Sequence, residues 1–320
     1  MRLLDFSSTT GARLVESGLD VVVTGGGGWL GQATLEMLES SLGVLAATRV
    51  HVFASSRRVM RLRSGTELEV HPLGELPQLR IGPHVLAHYA FATRELVSRM
   101  GLTEYVARNN EITDLVTGHV RRTRPVGMTL LSSGAVYLGD DPSTNPYGVL
   151  KARDERLFLD LARELARTGS EPRVVVPRLF NLAGPFLNKP DHYVLGSIIR
   201  DIGDGGPVQL RATHPVVRSY VHVRDLVELA FAVMVGDGPA PLEPFDTAGE
   251  REIEVGELAE LATSVLGVPG MEIRRPPFDA TQADRYVGDA AVIKSLARSY
   301  EIQMQVLSSQ IVDTARYMGI

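Results

Sequence analysis

Tyr147 and Lys151 stand one helical turn apart, at the head of a stretch in which Leu157, Leu161 and Leu165 recur every four residues. The spacing predicts a helix from about 148 to 167, with an apolar stripe toward a sheet and both residues on one face at its start. Hydride transfer to or from a carbinol carbon needs a proton to leave or join its oxygen. A tyrosine near pKa 10 is a poor base at neutral pH, and an ammonium beside it favours the phenolate. Ser133 closes the apolar run Met128–Ser133 and can hydrogen-bond the same oxygen. A second stretch with chemical potential is Val21-Val22-Val23-Thr24-Gly25-Gly26-Gly27-Gly28-Trp29-Leu30-Gly31. Three β-branched residues predict a buried strand, and the residues after Gly31 predict a helix. Between them, Gly25, Gly28 and Gly31 are spaced G-x-x-G-x-x-G. Strand, glycine turn and helix N-terminus present bare N–H groups to a pyrophosphate. Gly25 permits the tight turn, Gly28 lets phosphates approach and Gly31 lets the helix pack close. A bare glycine loop or a chance Y-x-x-x-K pair is common; the flanking elements favour the chemical reading.

Further strands are predicted at 49–54, 66–71, 84–90 and 128–133, with a long helix at about 93–121. Strands alternating with helices predict an α/β protein with a doubly wound, mostly parallel sheet. Ligands sit at the C-terminal ends of such strands, where Ser133 falls. After the second strand, an NAD site would place Asp or Glu for the ribose 2′-hydroxyl. Here Ser55-Ser56-Arg57-Arg58 stands instead, which suits a 2′-phosphate; NADP is preferred and NAD remains possible. His88 is either a base or a core histidine. Asn109 and Asn110 sit inside a helix, where asparagine is a poor former, and either brace a strand or lie exposed.

The rest of the chain predicts a helix at Val194–Ile202, a strand at Val208–Leu210, a helix at 226–235, a strand at 245–248 and a helix at Val255–Leu266. Proline-rich connections lie at 238–244 and 275–277. Residues 1–19 read as a short helix or a surface arm. With 320 residues, 44% hydrophobic and 22% charged, the composition is that of a globular protein. A net charge of -5 argues against a nucleic-acid partner. Cysteine is absent, which excludes disulfides and thiolate metal sites; no metal is expected. No apolar run approaches the ~18 residues of a membrane span, and the first twenty residues lack a signal peptide's apolar core. A cytoplasmic protein without a membrane partner is expected.

These motifs resemble the extended short-chain dehydrogenase/reductases, the nucleotide-sugar epimerase/dehydratase group. The likeness runs from about Val21 to Asp289. Thr24–Gly31 is similar to T-G-x-x-G-x-x-G, and His88-Tyr89-Ala90 to H-L-A. Asn109 precedes Thr113 as a family asparagine precedes a threonine. Ser133-Gly134-Ala135-Val136-Tyr137 resembles S-x-x-V-Y, and Tyr147 with Lys151 the Y-x-x-x-K pair. Pro177–Pro185 resembles R-x-x-N-x-x-G-P, and Arg218–Asp225 R-D-F-V-H-V-x-D. The resemblance implies a Rossmann sheet over 21–180, with 218–236 returning to it. An extension at 1–20 precedes it, and 181–217 with 237–320 form a smaller substrate-binding domain. It implies catalysis by Ser133, Tyr147 and Lys151. It implies coenzyme contacts from Thr24, Gly25, Gly28, Trp29, Leu30, Gly31, Ser55, Ser56, Arg57, Arg58, Tyr89, Ala90, Asn109, Tyr147, Lys151 and Pro177. Asn181, Arg218 and Arg285 would meet the substrate diphosphate or sugar. The implied substrate is a nucleotide-diphosphate sugar, the implied assembly a homodimer through the helices near 93–120 and 148–167. Epimerase and keto-sugar reductase are the two enzymatic readings. A reductase of a non-sugar carbonyl or alcohol, or a non-catalytic NADP-binding sensor, are the alternatives. Three departures stand out. The stretch between Ser133 and Tyr147 is shorter than usual. Gly134 and Ala135 replace the Asp-Glu pair of the 4,6-dehydratases, which disfavours water elimination. His71 and Pro72 stand where an adenine-contacting aspartate is common.

Overall fold

The computed structural model describes residues 3–277, 279 and 281–320. Among these, the central feature is a seven-stranded sheet. Its strands are β1 (Asp20–Thr24), β2 (Val50–Ala54), β3 (Arg58–Arg61), β4 (Glu67–Pro72), β5 (His84–His88), β6 (Gly127–Leu130) and β7 (Arg173–Val175). Their order is β3-β4-β2-β1-β5-β6-β7, parallel throughout except for the antiparallel edge strand β3. The order reverses at β1, so the crevice beyond Thr24, between the ends of β2 and β5, is the switch point at which such sheets bind ligands. β1 is apolar at successive positions because both of its faces are covered. Val21 and Val23 join a core that includes Ala33, Leu38, Leu229 and Phe231. Val22, pointing the other way, joins one with Leu86, Met128, Val116, Val120, Phe158 and Leu161.

Five helices matter for the site: α1 (Ser8–Glu16), α2 (Trp29–Leu42), α3 (Leu102–Thr123), α4 (Pro146–Arg167) and α5 (Val223–Val235). Of the two readings of residues 1–19, the short helix forms, as α1, and the surface arm is corrected. Of that extension residues 3–19 are described, and Leu4, Phe6 and Leu14 are buried. Phe6 packs on Phe231 with ring centroids 5.2 Å apart. The expected helix at 93–121 is broken: Gly101, with φ +80°, separates short turns at 94–100 from α3. The expected strand at 128–133 is divided too. β6 ends at Leu130, and Ser132–Ser133 leaves the main sheet to pair with Pro177–Leu179, which in turn pairs with Phe245–Asp246. On α4 the buried stripe runs through Leu150, Phe158, Leu161 and Leu165, whereas Leu157 is 40% exposed.

A second apolar cluster gathers Ile198, Ile199, Val208, Leu258 and Ile311. It underlies the helices Val194–Gly203, Val255–Val265 and Leu307–Met318. Short strands lace the same region: Val208–Gln209 pairs with Ile273–Arg274, and Val216–Arg218 lies between Ile253–Glu254 and Asp284–Tyr286. No helix among the described residues is long and apolar enough to cross a membrane.

Candidate active site

The glycine turn follows β1 at the switch point. Gly25 adopts φ +76°, and a Cβ there would lie 2.7 Å from the Ala90 nitrogen. A Cβ on Gly31 would lie 2.7 Å from the Gly26 Cα and closer still to the Gly25 carbonyl. Both positions therefore refuse any side chain. Gly28 differs: a Cβ there would meet only the Gly25 oxygen, at 3.4 Å. Gly28 is the N-cap of α2, and no side chain caps that helix. The first-turn N–H groups of α2 thus have no side-chain cap, which fits an anionic pyrophosphate.

The residues around the turn divide into those that lie on it and those that brace it. Thr24 Oγ1 lies 2.7 Å from His88 Nδ1, tying the ends of β1 and β5. Burial, and then the Lys151 charge, hold His88 down at about 3, and its ring stacks on Phe158. It is a neutral strut. Thr34 donates to the Tyr89 hydroxyl at 3.2 Å, and burial pushes that phenol up to about 12, behind the turn. Asn109 is fully buried; its Oδ1 accepts from Ala92 N at 2.8 Å while its Nδ2 donates to Tyr105 O. It fixes the segment that carries Ala90. Leu30 is buried, and Trp29 Nε1 donates to Pro185 O at 2.6 Å. Ser55 and Ser56 are exposed after β2. The two arginines diverge. Arg57 pairs with Glu75 and lies 3.2 Å from His71 Nδ1. The Arg58 guanidinium lies against Gly27, on the glycine turn itself.

Ser133, Tyr147 and Lys151 converge beside this turn. The short strand Ser132–Ser133 carries the serine, whose Oγ accepts from Ala135 N at 3.2 Å. Asn145 caps α4 by accepting from Gly148 N, Pro146 occupies its first turn, and Tyr147 follows. Burial pushes the Tyr147 phenol up to about 12, against a hydrogen bond to Ser133 that pulls it down. Lys151, one turn on, is buried. Its Nζ donates to Leu131 O at 2.7 Å, the carbonyl at the point where β6 gives way to Ser132–Ser133. The ammonium is 3.8 Å from the Phe91 ring centroid and 5.9 Å from that of Tyr147. Burial lowers Lys151 to about 8, opposed by Asp154 and Glu155. Below them Arg178 grips Glu155 with two bonds of 2.8 and 2.7 Å, and Ser132 donates to the same carboxylate.

The residues expected to meet substrate are placed differently. Asn181 Nδ2 donates to the Ser219 and Tyr286 carbonyls, both at 3.2 Å. Arg218 is held by Asp284 at 2.7 Å. Arg285 is exposed and pairs with Glu252. It is the neighbour Tyr286 that enters the site: its hydroxyl lies 3.4 Å from Ser133 Oγ, and its ring centroid lies 4.8 Å from that of Phe180. Phe180 is flanked by two glycines. A Cβ on Gly134 or Gly288 would lie 2.5 or 2.6 Å from its ring. Gly134 is thus demanded by Phe180, where a larger residue would collide. Pro177 lies in the strand that pairs with both Ser132–Ser133 and Phe245–Asp246. Tyr286 and Phe91 were not legible as site residues, because a strand pairing and ring contacts distant in sequence bring them in; Phe180 ends the Pro177–Phe180 segment that the resemblance places along the nicotinamide. Among the described residues no group of three or more His, Cys, Asp or Glu could hold a metal ion.

Residues 21–241 match the family described as NAD dependent epimerase/dehydratase. A curated relative, UDP-glucuronic acid decarboxylase 6 of Arabidopsis thaliana, is 23% identical over 286 residues, 82% of this chain and 78% of the relative. Among solved structures, a UDP-N-acetylglucosamine 4-epimerase of Methanobrevibacter ruminantium M1 is similar with TM-score 0.69 and 18% identity, covering 94% of this chain and 98% of that one. A dTDP-glucose 4,6-dehydratase of Streptomyces venezuelae with NAD bound is similar with TM-score 0.67 and 20% identity, covering 94% and 97%. At such identities the structural likeness speaks for the fold, a Rossmann-type α/β sheet.

Proposed function

Because the chain belongs to the NAD dependent epimerase/dehydratase family, we propose that it is an NAD(P)-dependent oxidoreductase acting on a nucleotide-diphosphate sugar, as a keto-sugar reductase or an epimerase. The observation that carries this reading is the convergence of Ser133, Tyr147 and Lys151 near a glycine turn that excludes a side chain at Gly25 and Gly31. In this reading Gly25–Gly31 and the α2 N-terminus hold the pyrophosphate, and Arg58 meets the adenosine end. The coenzyme, when bound, supplies or accepts hydride at its nicotinamide. The protein manages the proton. Ser133 holds the substrate oxygen, and Tyr147 gives or takes its proton. Lys151 supplies the positive charge that makes the phenolate accessible. One observation favours the reducing direction: Arg58 against Gly27 offers a cation to a 2′-phosphate, which favours NADP. Dehydration is disfavoured, since Gly134 and Ala135 give no acid or base beside Ser133.

Mass spectrometry of nucleotide retained on the purified protein, followed by nucleotide sugars with and without added NADPH, tests the reading. Stoichiometric NADPH use supports the reductase; retained NAD with no external demand supports the epimerase. Tyr147→Phe is expected to lower turnover at least a hundredfold, the scale of a lost general acid. Full turnover in that variant would eliminate tyrosine-based catalysis.

A further inference from the structure

We propose that Phe91 is a positioning residue: it holds the Lys151 ammonium against the Leu131 carbonyl and off the Tyr147 phenol until a dinucleotide binds. The proposal rests on the dinucleotide reading above.

Phe91 is strung between two anchored neighbours. Ala90 packs its backbone against Gly25, and Ala92 is clasped by Asn109 through both its N–H and its carbonyl. The ring is therefore delivered to the rim of the glycine turn, half-buried. There it touches both members of the acid–base pair. Its centroid is 3.8 Å from Lys151 Nζ, and it stands edge-on to Tyr147 at 5.4 Å and 89°. An ammonium over a ring face is attracted by the ring quadrupole, a contact that biases an equilibrium roughly twofold to thirtyfold depending on desolvation. With one donor on Leu131 O and the Phe91 face beside it, the ammonium stays 5.9 Å from the Tyr147 ring centroid. The high phenol and the suppressed lysine agree with a pair that is not yet joined. For Lys151 to serve Tyr147 or a ligand hydroxyl, it must turn from the ring. Phe91 thereby couples completion of the acid–base pair to occupancy of the turn.

The test is a double-mutant cycle on binding. Trp29, the chain's single tryptophan, begins α2 at the turn and is the fluorescence probe for NADPH titration. Phe91→Leu is expected to tighten NADPH about threefold to tenfold with Lys151 present and to change nothing in a Lys151→Met background. Equal effects in both backgrounds would show simple packing and overturn the proposal. The coenzyme-free protein gives a second readout. The ring favours the charged form, so Phe91→Leu should lower the pH at which Lys151 becomes reactive in competitive amine labelling. An unchanged labelling midpoint would also overturn it. Phe91→Met serves the same purpose should the leucine variant not fold. If the wild-type chain binds neither NADPH nor NADH, the dinucleotide reading fails, while labelling still decides whether Phe91 holds the ammonium.

Discussion

Lys151 is a buried cation, and its cost and its use are opposite sides of one property. Burial lowers it from 10.5 to about 8. The folded state therefore holds this proton less tightly than the unfolded chain does. The destabilisation is fully present below pH 8 and fades as pH rises toward 10.5, on the order of 3 kcal/mol in all. Its carboxylate neighbours have other partners: Arg178 for Glu155, Thr113 and Arg153 for Asp154. Lys151→Met is accordingly expected to raise Tm by a few degrees at pH 7, with the gain vanishing near pH 10, while activity is lost. Calorimetry across that range checks it. The same lysine sets an alkaline limit on function: kcat/KM should fall as pH rises through about 8, in a profile that Lys151→Arg shifts upward. At this scale the nearness of Tyr147 and Lys151 was legible because it is carried by local spacing, and their role with Ser133 is the proposal tested above. Arg285 and Tyr286 show the limit of that legibility. They are adjacent in sequence, and only the register of Arg218 with Tyr286 decides which one faces Ser133.

At the scale of elements, the N-terminal helix is an integral layer rather than an appendage. Glu228, at zero exposure on α5, accepts from Ser7 N at 2.9 Å and from the Ser7 and Thr10 hydroxyls at 2.6 Å each. Glu36 on α2 takes Leu3 N at 2.8 Å. Glu228→Ala would strand these buried donors, a loss on the order of 3 kcal/mol. The expected outcome is a lower Tm together with early tryptic cleavage at Arg13, seen by limited proteolysis at a temperature where the wild type resists. The sequence offered the short helix but not its place as a layer, since a nine-residue helix with few apolar residues does not name its partners, and these lie on α5. α4 and β1 were legible because the one carries a regular apolar stripe and the other an unbroken β-branched run. The division of the strand at Leu131 was not, because it serves a pairing with Pro177–Leu179 that has no local signature.

At the scale of the whole molecule, the family resemblance implies a homodimer through α3 and α4. Leu157 lies 40% exposed on α4, apart from the buried stripe. Leu157→Glu is expected to convert the dimer to a monomer by analytical ultracentrifugation with the thermal transition nearly unchanged; a wild-type monomer would refute the assembly. By itself the sequence determined the doubly wound architecture and the glycine turn, and it singled out Ser133, Tyr147 and Lys151 as the group proposed to act, because each is written in short-range spacing and in residue types with few physical alternatives. Tertiary structure alone decided that Arg58 rather than Arg57 lies on the turn, that Tyr286 reaches Ser133 while Phe180 packs on Gly134, and that the Phe91 ring lies against the Lys151 ammonium. Those are contacts between distant or differently directed side chains, and their outcome depends on which partner, such as Glu75 for Arg57, is nearer in space.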